Sequence, residues 1–448
     1  VDLSMLRNLE PNANMTGFAD FDGTIRGPVE NPFVKVRYAA MAGKLFEQPY
    51  RSLHGSASGN LDGISIDSFS MENDGNVNWL VEGTIGFTGA RRVNLTIDTT
   101  GVRMEDIAAL VAPDVPITGN VDNILTIKGT LDDPDMTGYI HFYRGSYNGY
   151  LLSGMDGDYT LKNGVMTLHD FHIFSPLVDM DLNGTITRST QALNLKVEAH
   201  DIDMKRFEHQ LPYPVMGHGK FEGLIAGTLS SPTFDGRLTA PELYFNGETV
   251  TNVVGQVSMR NGRVVCEPVR FEQKGGLYTM TASADLKTER LSGRIEVKGG
   301  DVNALMTIGN VKNQAVHGHV DGTIDVSGTF SNPSANASVF MKDGDIGGYE
   351  VTNTYFNGTL SDRVISIDRF EGEQGTGRFA ANGTVDLDGA MEGRFSAQNI
   401  DAGMIPAAAG SDYKFKGLMN IEAQFGGTVN NPSAEASVEI SSGGVGTS

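Results

Sequence analysis

The pattern Gly-x-apolar-x-x-Pro occurs five times in this 448-residue chain, at residues 27–32, 129–134, 227–232, 328–333 and 427–432. Its first glycines, 27, 129, 227, 328 and 427, are separated by 102, 98, 101 and 99 residues, and threonine follows the glycine in every copy except the first, which has Pro28. Ten residues ahead of each stands another glycine: Gly17, Gly119, Gly217, Gly318 and Gly417. One such motif would mean little. Five copies in one register are an internal repeat of about a hundred residues, which calls for a stacked array of supersecondary units in place of several unrelated domains. The array is read as one continuous body over residues 1–448, with approximate repeats 1–101, 102–200, 201–299, 300–398 and a partial 399–448.

Between the two glycines the residues alternate. In the fourth copy Val320, Gly322, Ile324, Val326, Gly328 and Phe330 share one parity while Asp321, Thr323, Asp325, Ser327 and Thr329 share the other. A period of two is a strand with one apolar face, and Ser331-Asn332-Pro333 turns the chain after it. Later strands keep the parity: Trp79, Val81, Ile85 and Phe87; Val178, Met180, Leu182 and Ile186; Tyr278, Met280, Ala282 and Leu286; Phe379, Ala381, Val385 and Leu387. Turn dipeptides punctuate the second repeat at Asn148-Gly149, Asp156-Gly157, Asn163-Gly164 and Asn183-Gly184, with relatives at Asp62-Gly63 and Asn261-Gly262. Such dipeptides between alternating runs predict hairpins, hence an antiparallel meander of roughly eight strands per repeat and about 35 in all. A short helix is expected ahead of each landmark strand, at residues 1–11, 102–113, 202–212, 302–308 and 400–406, with Asp2, Asp203 and Asp401 as N-caps.

The predicted class is therefore mostly β, one long repetitive antiparallel sheet with one short helix per repeat. Glycine fits this reading: it makes up 56 of 448 residues, well above the usual ~7%. About 35 strands spaced ~4.8 Å apart would extend around 170 Å, far beyond the size at which open sheets stay flat. Such a sheet must wind, or bend into a U-shaped groove whose apolar face lines the inside. One short helix per repeat is too little to cover that face.

A formal charge of −21 and a pI near 4.8 oppose binding to nucleic acid or to an anionic membrane surface. Cys266, the single cysteine, rules out an internal disulfide and reads as a small buried apolar residue. No run is apolar enough to span a bilayer, and no signal peptide is evident. The chain starts at Val1 and ends at Ser448 just after a repeat restarts, so it is expected to be a slice of something longer with any membrane anchor outside it.

No nucleophile elbow, phosphate loop or His-Glu-x-x-His is present, and Gly55-Ser56-Ala57-Ser58-Gly59 carries alanine where a nucleophile would stand. Gly375-Thr376-Gly377 leads toward a strand, not a helix. Asp132, Asp133, Asp135, Asp343 and Asp345 suit turns better than calcium, and His169 and His172, three apart in a strand, are expected to face opposite ways. The expectation is a protein that is not an enzyme, with no metal and no cofactor.

Taken together, the Asp-capped short helices, the strands ending Gly-Thr-x-x-x-Pro and the Asn-Gly-rich meander resemble the TamB and AsmA-like family of bacterial envelope proteins, over essentially the whole chain. That resemblance implies a β-taco, a U-shaped sheet whose greasy interior carries phospholipid acyl chains between the inner and outer membranes of a diderm bacterium. It implies a periplasmic, envelope-spanning location, with the inner and outer membranes reached through segments outside this chain, and a partner of the Omp85 class in outer-membrane barrel assembly. The inward parity then nominates as groove lining Phe21, Ile25, Trp79, Val81, Ile85, Leu125, Ile127, Met180, Leu182, Phe221, Ile225, Met280, Ile324, Val326, Phe379 and Val385. Two rival readings are a β-solenoid rod or adhesin with a closed core, and a scaffold that guides outer-membrane strands by its sheet edge.

Overall fold

A computed structural model describes residues 2–4, 15–45, 48–72, 78–105, 116–147, 149–207, 214–308, 315–386, 389–404, 414–428 and 431–446. The first repeat folds as β1 (Met15–Arg26), β2 (Phe33–Leu45), β3 (Gln48–Asn60), β4 (Gly63–Glu72), β5 (Asn78–Gly86) and β6 (Arg92–Arg103). The second gives β7 (Ile117–Thr130), β8 (Pro134–Tyr147), β9 (Tyr150–Lys162), β10 (Val165–Phe174), β11 (Met180–Thr187) and β12 (Ala192–Asp203). The third gives β13 (Val215–Thr228), β14 (Ser231–Phe245), β15 (Glu248–Arg260), β16 (Arg263–Gln273), β17 (Gly276–Asp285) and β18 (Arg290–Asp301). Then come β19 (Val316–Thr329), β20 (Pro333–Ile346), β21 (Tyr349–Ser361), β22 (Val364–Gln374), β23 (Gly377–Asp386) and β24 (Met391–Asp401), and β25 (Lys414–Thr428) and β26 (Asn431–Gly446) open a fifth repeat. All 26 belong to one antiparallel sheet that is not closed into a barrel, with little helix among the described residues, which is the class the periodicity predicts. The chain forms two compact units, one of residues 1–200 and 222–233, the other of residues 201–221 and 234–448.

The residues of the repeated motif have separate mechanical roles. Gly129, Gly227, Gly328 and Gly427 sit at φ values of +105°, +82°, +104° and +91°, where a side chain would be strained. The following threonine then caps the turn: Oγ1 of Thr130, Thr228, Thr329 and Thr428 accepts the amide of the residue three ahead, at 3.1–3.2 Å. In the first repeat Pro28 has no hydroxyl, and its carbonyl takes the Asn31 amide instead, at 3.2 Å. The proline closes the turn as the first residue of β8 and β20, opposite Gly129 and Gly328. A strand's opening position is one where a missing N–H costs little.

The upstream glycines make β-bulges. Gly17, Gly119 and Gly318 have φ of +115°, +142° and +146°, and the register slips beside each of them. A Cβ on Gly119 would lie 2.7 Å from the Phe142 ring, and one on Gly318 would lie 2.6 Å from Met341 Sδ. Backbone and core side chain therefore meet closely at these points.

Among the described residues each complete repeat contains six strands, not eight. Asp156-Gly157 and Asn183-Gly184, expected as turns, lie inside β9 and β11. Gly157 instead admits the Phe171 ring, 2.4 Å from where its Cβ would be, and Gly184 (φ +141°) admits the Asn194 carbonyl at 2.1 Å. Asn163-Gly164 and Asn261-Gly262 do form turns, and Leu61-Asp62 turns one residue earlier than expected. Helical turns fall within each expected segment as far as it is described, at residues 3–4, 104–105, 204–207, 302–308 and 404. Residues 302–308 form α1 (Val302–Ile308), capped by Asp301, whose Oδ1 accepts the Ala304 amide at 2.8 Å. Ile202 and Asp203 end β12 and are followed by a 3-10 turn, Met204–Phe207; Val102 lies in β6 and Ile400 in β24. Asp2, Asp203 and Asp401 accept the amides of Ser4, Lys205 and Gly403 as N-caps should. The remainder of the helices expected at 1–11, 102–113, 202–212 and 400–406 lies outside the described residues.

Where they are described at residues 3, 302–305 and 402–404, these inter-repeat segments cover one end of the apolar face. Leu3 joins Ala19, Ala40, Tyr50, Leu53 and Met71 in a core of the first unit. In the second unit Ala402 and Met404, with Val302 and Leu305 packed alongside, join Val320, Met341, Val351 and Ile400. Tyr278 lies in the same core, where burial, aided by the Asp301 and Glu248 carboxylates, pushes its phenol up to about 12. It stays neutral and donates to Gln273 Oε1 at 2.9 Å. Thr354 is 5% exposed, and its Oγ1 has no hydrogen-bond partner among the described residues. Thr354→Val is expected to raise the stability of this unit by about 1 kcal/mol, because an unpaired buried hydroxyl is replaced by a methyl of the same shape. Chemical denaturation followed by circular dichroism reads this directly, and a loss of stability would show that the hydroxyl is satisfied.

Candidate functional site

Cross-strand register assembles the alternating residues into rows that run perpendicular to the strands. In the first unit one row reads Gly23–Val36–Ala57–Ile66–Gly83–Leu95–Ile127–Met136–Leu161–Met166–Ile186–Leu193, across β1 to β12. In the second unit Leu238–Gly255–Val269–Met280–Ile295–Ile324–Ala337–Gly358–Ile367–Gly383–Gly393–Phe425–Ala434 crosses β14 to β26. Beside it, Gly236–Val257–Cys266–Ala282–Gly293–Val326–Ala335–Leu360–Ile365–Val385–Met391 crosses β14 to β24. No polar residue interrupts any of the three. The other face is different in kind: Thr24, Lys35, Ser58, Ser65, Thr84, Asn94, Lys128 and Asp135 form one of its rows.

Along the apolar face, burial falls from the end covered by the inter-repeat segments toward the Gly-Thr turns. On β1, Ala19 is 4% exposed, Phe21 51% and Ile25 73%. The sixteen nominated residues divide along this gradient. Phe21, Val81 and Leu125 share a row, as do Ile25 and Ile85; Ile127 stands in the long row of the first unit. Met280 and Ile324 share one row of the second unit, and Val326 and Val385 share the other. Met180, opposite Ile173, is half-buried, and so are Phe221 and Ile225 on β13. Two are buried in the cores, Leu182 between Phe171 and Val197, and Phe379, 3% exposed with its ring 5.6 Å from Phe370, while Trp79 is half-buried against the core that holds Leu53 and Met71.

The fourth strand of each repeat also lines this face, although no residue of it was nominated. There the apolar residues are Ile64, Ile66 and Phe69; Met166, Leu168 and Phe171; Val264, Cys266 and Val269; and Ile365, Ile367 and Phe370. A bulge between the second and third member of each set restores the parity that a three-residue step would break. The available signal was the spacing apolar-x-apolar-x-x-apolar, recurring from 64 to 166, 264 and 365, gaps of 102, 98 and 101 that match those of the glycine motif.

A concavity of about 270 Å³ opens on this face in the second unit, lined by Val264, Cys266, Met280, Ala282, Ala284, Leu291, Gly293, Ile295, Val326 and Phe330 with Ser283 and Ser292. Its depth comes from small residues placed opposite one another, Cys266, Ala282 and Gly293. Burial pushes the Cys266 thiol up, away from the reactive thiolate. An apolar cavity of roughly 150 Å³ is already enough to hold benzene.

On the polar face the same bulge corrects an expectation. Asp170 is the extra residue in β10, so His169 and His172, which bracket it, point to the same side. Among the described residues no group of three or more histidine, cysteine or acidic side chains is arranged to hold a metal ion. Asp132 and Asp135 are engaged by Arg91 and Lys162, both at 3.0 Å. No helix of the described residues is long and apolar enough to cross a membrane. No protein-family model matches this chain, and no curated protein matches it at a significant level.

Proposed function

We propose that the chain is a non-enzymatic carrier of lipid, whose apolar face shields phospholipid acyl chains during passage between two membranes. The observation that carries this reading is the uninterrupted apolar row, twelve strands wide in the first unit and thirteen in the second, left half-exposed toward the Gly-Thr turns. Soluble chains rarely leave so much contiguous apolar surface without a ligand or partner for it. Each CH₂ exposed to water costs about 0.8 kcal/mol, so two chains of roughly sixteen carbons face some 25 kcal/mol in an aqueous gap. A wall of many weak, interchangeable contacts removes most of that cost, and an open side keeps a charged headgroup hydrated. The resemblance to the TamB and AsmA-like family points the same way and adds a periplasmic setting and an Omp85-class partner to the proposal.

Gently purified protein is expected to yield phospholipid by mass spectrometry of its organic extract, and the lipid-free protein is expected to take up a fluorescent fatty acid. Lipid-free extracts together with no uptake would favour the closed-core rod.

A further inference from the structure

On the polar face of the second repeat, acids and imidazoles alternate from strand to strand. Asp122 on β7 is opposite His141 on β8, which is opposite Asp156 on β9; Asp156 is opposite His172 on β10, which is opposite Asp181 on β11. Asp181 is in turn opposite Glu198 on β12. The row is peculiar to this repeat. The positions equivalent to His141 are Ala39, Thr239 and Phe340, and those equivalent to His172 are Ser70, Arg270 and Glu371.

Each ring already holds one acid. His141 Nδ1 bonds Asp156 Oδ1, His172 Nδ1 bonds Asp181 Oδ1 at 2.5 Å, and His200 Nε2 bonds Asp181 Oδ2 at 3.1 Å. The surrounding groups are the Tyr139 and Tyr143 hydroxyls, which donate to Asp156 and Asp122, and Arg144 on β8. Asp158 on β9 faces His169 on β10, Asp170 occupies the β10 bulge, and Lys196 on β12 bonds Glu198 and feels Glu222 on β13. A neutral imidazole has one N–H and serves one carboxylate; the acid on its other flank is held by other donors, Asp122 by Tyr143 and the Gly101 amide and Asp156 by His141 and Tyr139. A protonated ring has an N–H on each side.

We propose that this row is a pH-operated brace: protonation of His141 and His172 gives each ring a second donor, so that each joins the carboxylates on both neighbouring strands and β7 to β11 become linked side chain to side chain. Imidazole is the side chain that changes charge between pH 5 and 8, so the brace tightens in mild acid and relaxes above neutrality. The Asp181 carboxyl is held below the usual carboxylate range, chiefly by the His172 bond, so it remains the charged partner throughout that interval. Its own contribution is lost only when the pH falls through that lowered value, beneath 3.8. With His141 46% and His172 37% exposed, screening by water and salt keeps the effect modest. The reverse face of these strands is apolar wall, which the brace stiffens.

Hydrogen exchange followed by mass spectrometry tests this on the intact protein. After correction for intrinsic exchange, amides of β8 to β11 should gain about fivefold protection between about pH 8 and pH 5.5, as expected of two exposed charged pairs, while those of β2 to β5 should not. The double variant His141→Gln, His172→Gln should lose that difference. The brace is overturned if the wild-type protein shows no selective gain, or if the variant keeps it. Should the variant fail to fold, about 0.5 M NaCl must shrink the wild-type gain, and a gain indifferent to salt overturns the brace as well.

Discussion

Ile324→Asp and Val326→Asp should each reduce the hydrocarbon held by the folded protein by about tenfold or more, because a carboxylate there forfeits apolar contact and faces the ligand's chain without a partner. Ile324 stands between Ile295 and Ala337, and Val326 between Gly293 and Ala335, so no cation is opposite either position. Both residues are half-buried, on the less covered side of the gradient, and without ligand a new carboxylate can turn toward water. Folding should therefore survive while binding falls. Uptake of a fluorescent fatty acid measures the loss, and circular dichroism with urea unfolding measures the cost to the fold. If both variants simply unfold, these positions belong to a closed core and the carrier reading goes with them.

A truncation at the covered end should behave in the opposite way. Phe142→Ala is expected to destabilise the first unit by about 4 kcal/mol, since a fully buried ring is removed where little can refill the space. Its ring lies over Gly119 and Gly145, whose added Cβ atoms would be 2.7 and 2.3 Å away, and neither glycine has a side chain to move into the cavity. Trp79, the single tryptophan, is in the same unit and reports its unfolding by fluorescence. Met341→Ala, the equivalent truncation in the second unit, should leave the Trp79 transition in place. A Phe142→Ala cost below about 1 kcal/mol would mean that the covered end is not packed as described, and hydrocarbon uptake should change far less than with the aspartates.

Much of this is legible in the residues. Gly-Thr-x-x-x-Pro predicted a turn, and the glycine dihedral, the threonine cap and the proline at the strand's opening each supply a local reason for it. Local rules succeed there because every group involved lies within six residues. They failed at Asp156-Gly157, where a turn dipeptide serves instead to admit Phe171 from a neighbouring strand, and at His169 and His172, where one bulged residue reverses the parity. Both errors come from partners that the sequence does not place nearby.

From its sequence alone the chain determined an antiparallel sheet with one apolar parity and a period near one hundred residues, because alternation and turn chemistry are properties of the local backbone. Only the tertiary structure decided how that parity is divided. Register stacked the apolar residues into unbroken rows, and the inter-repeat segments buried one end of them, placing Phe379 in dry packing and leaving Ile25 in the open. Burial is a property of what lies across the gap, and a pattern of two along the strand carries no record of it.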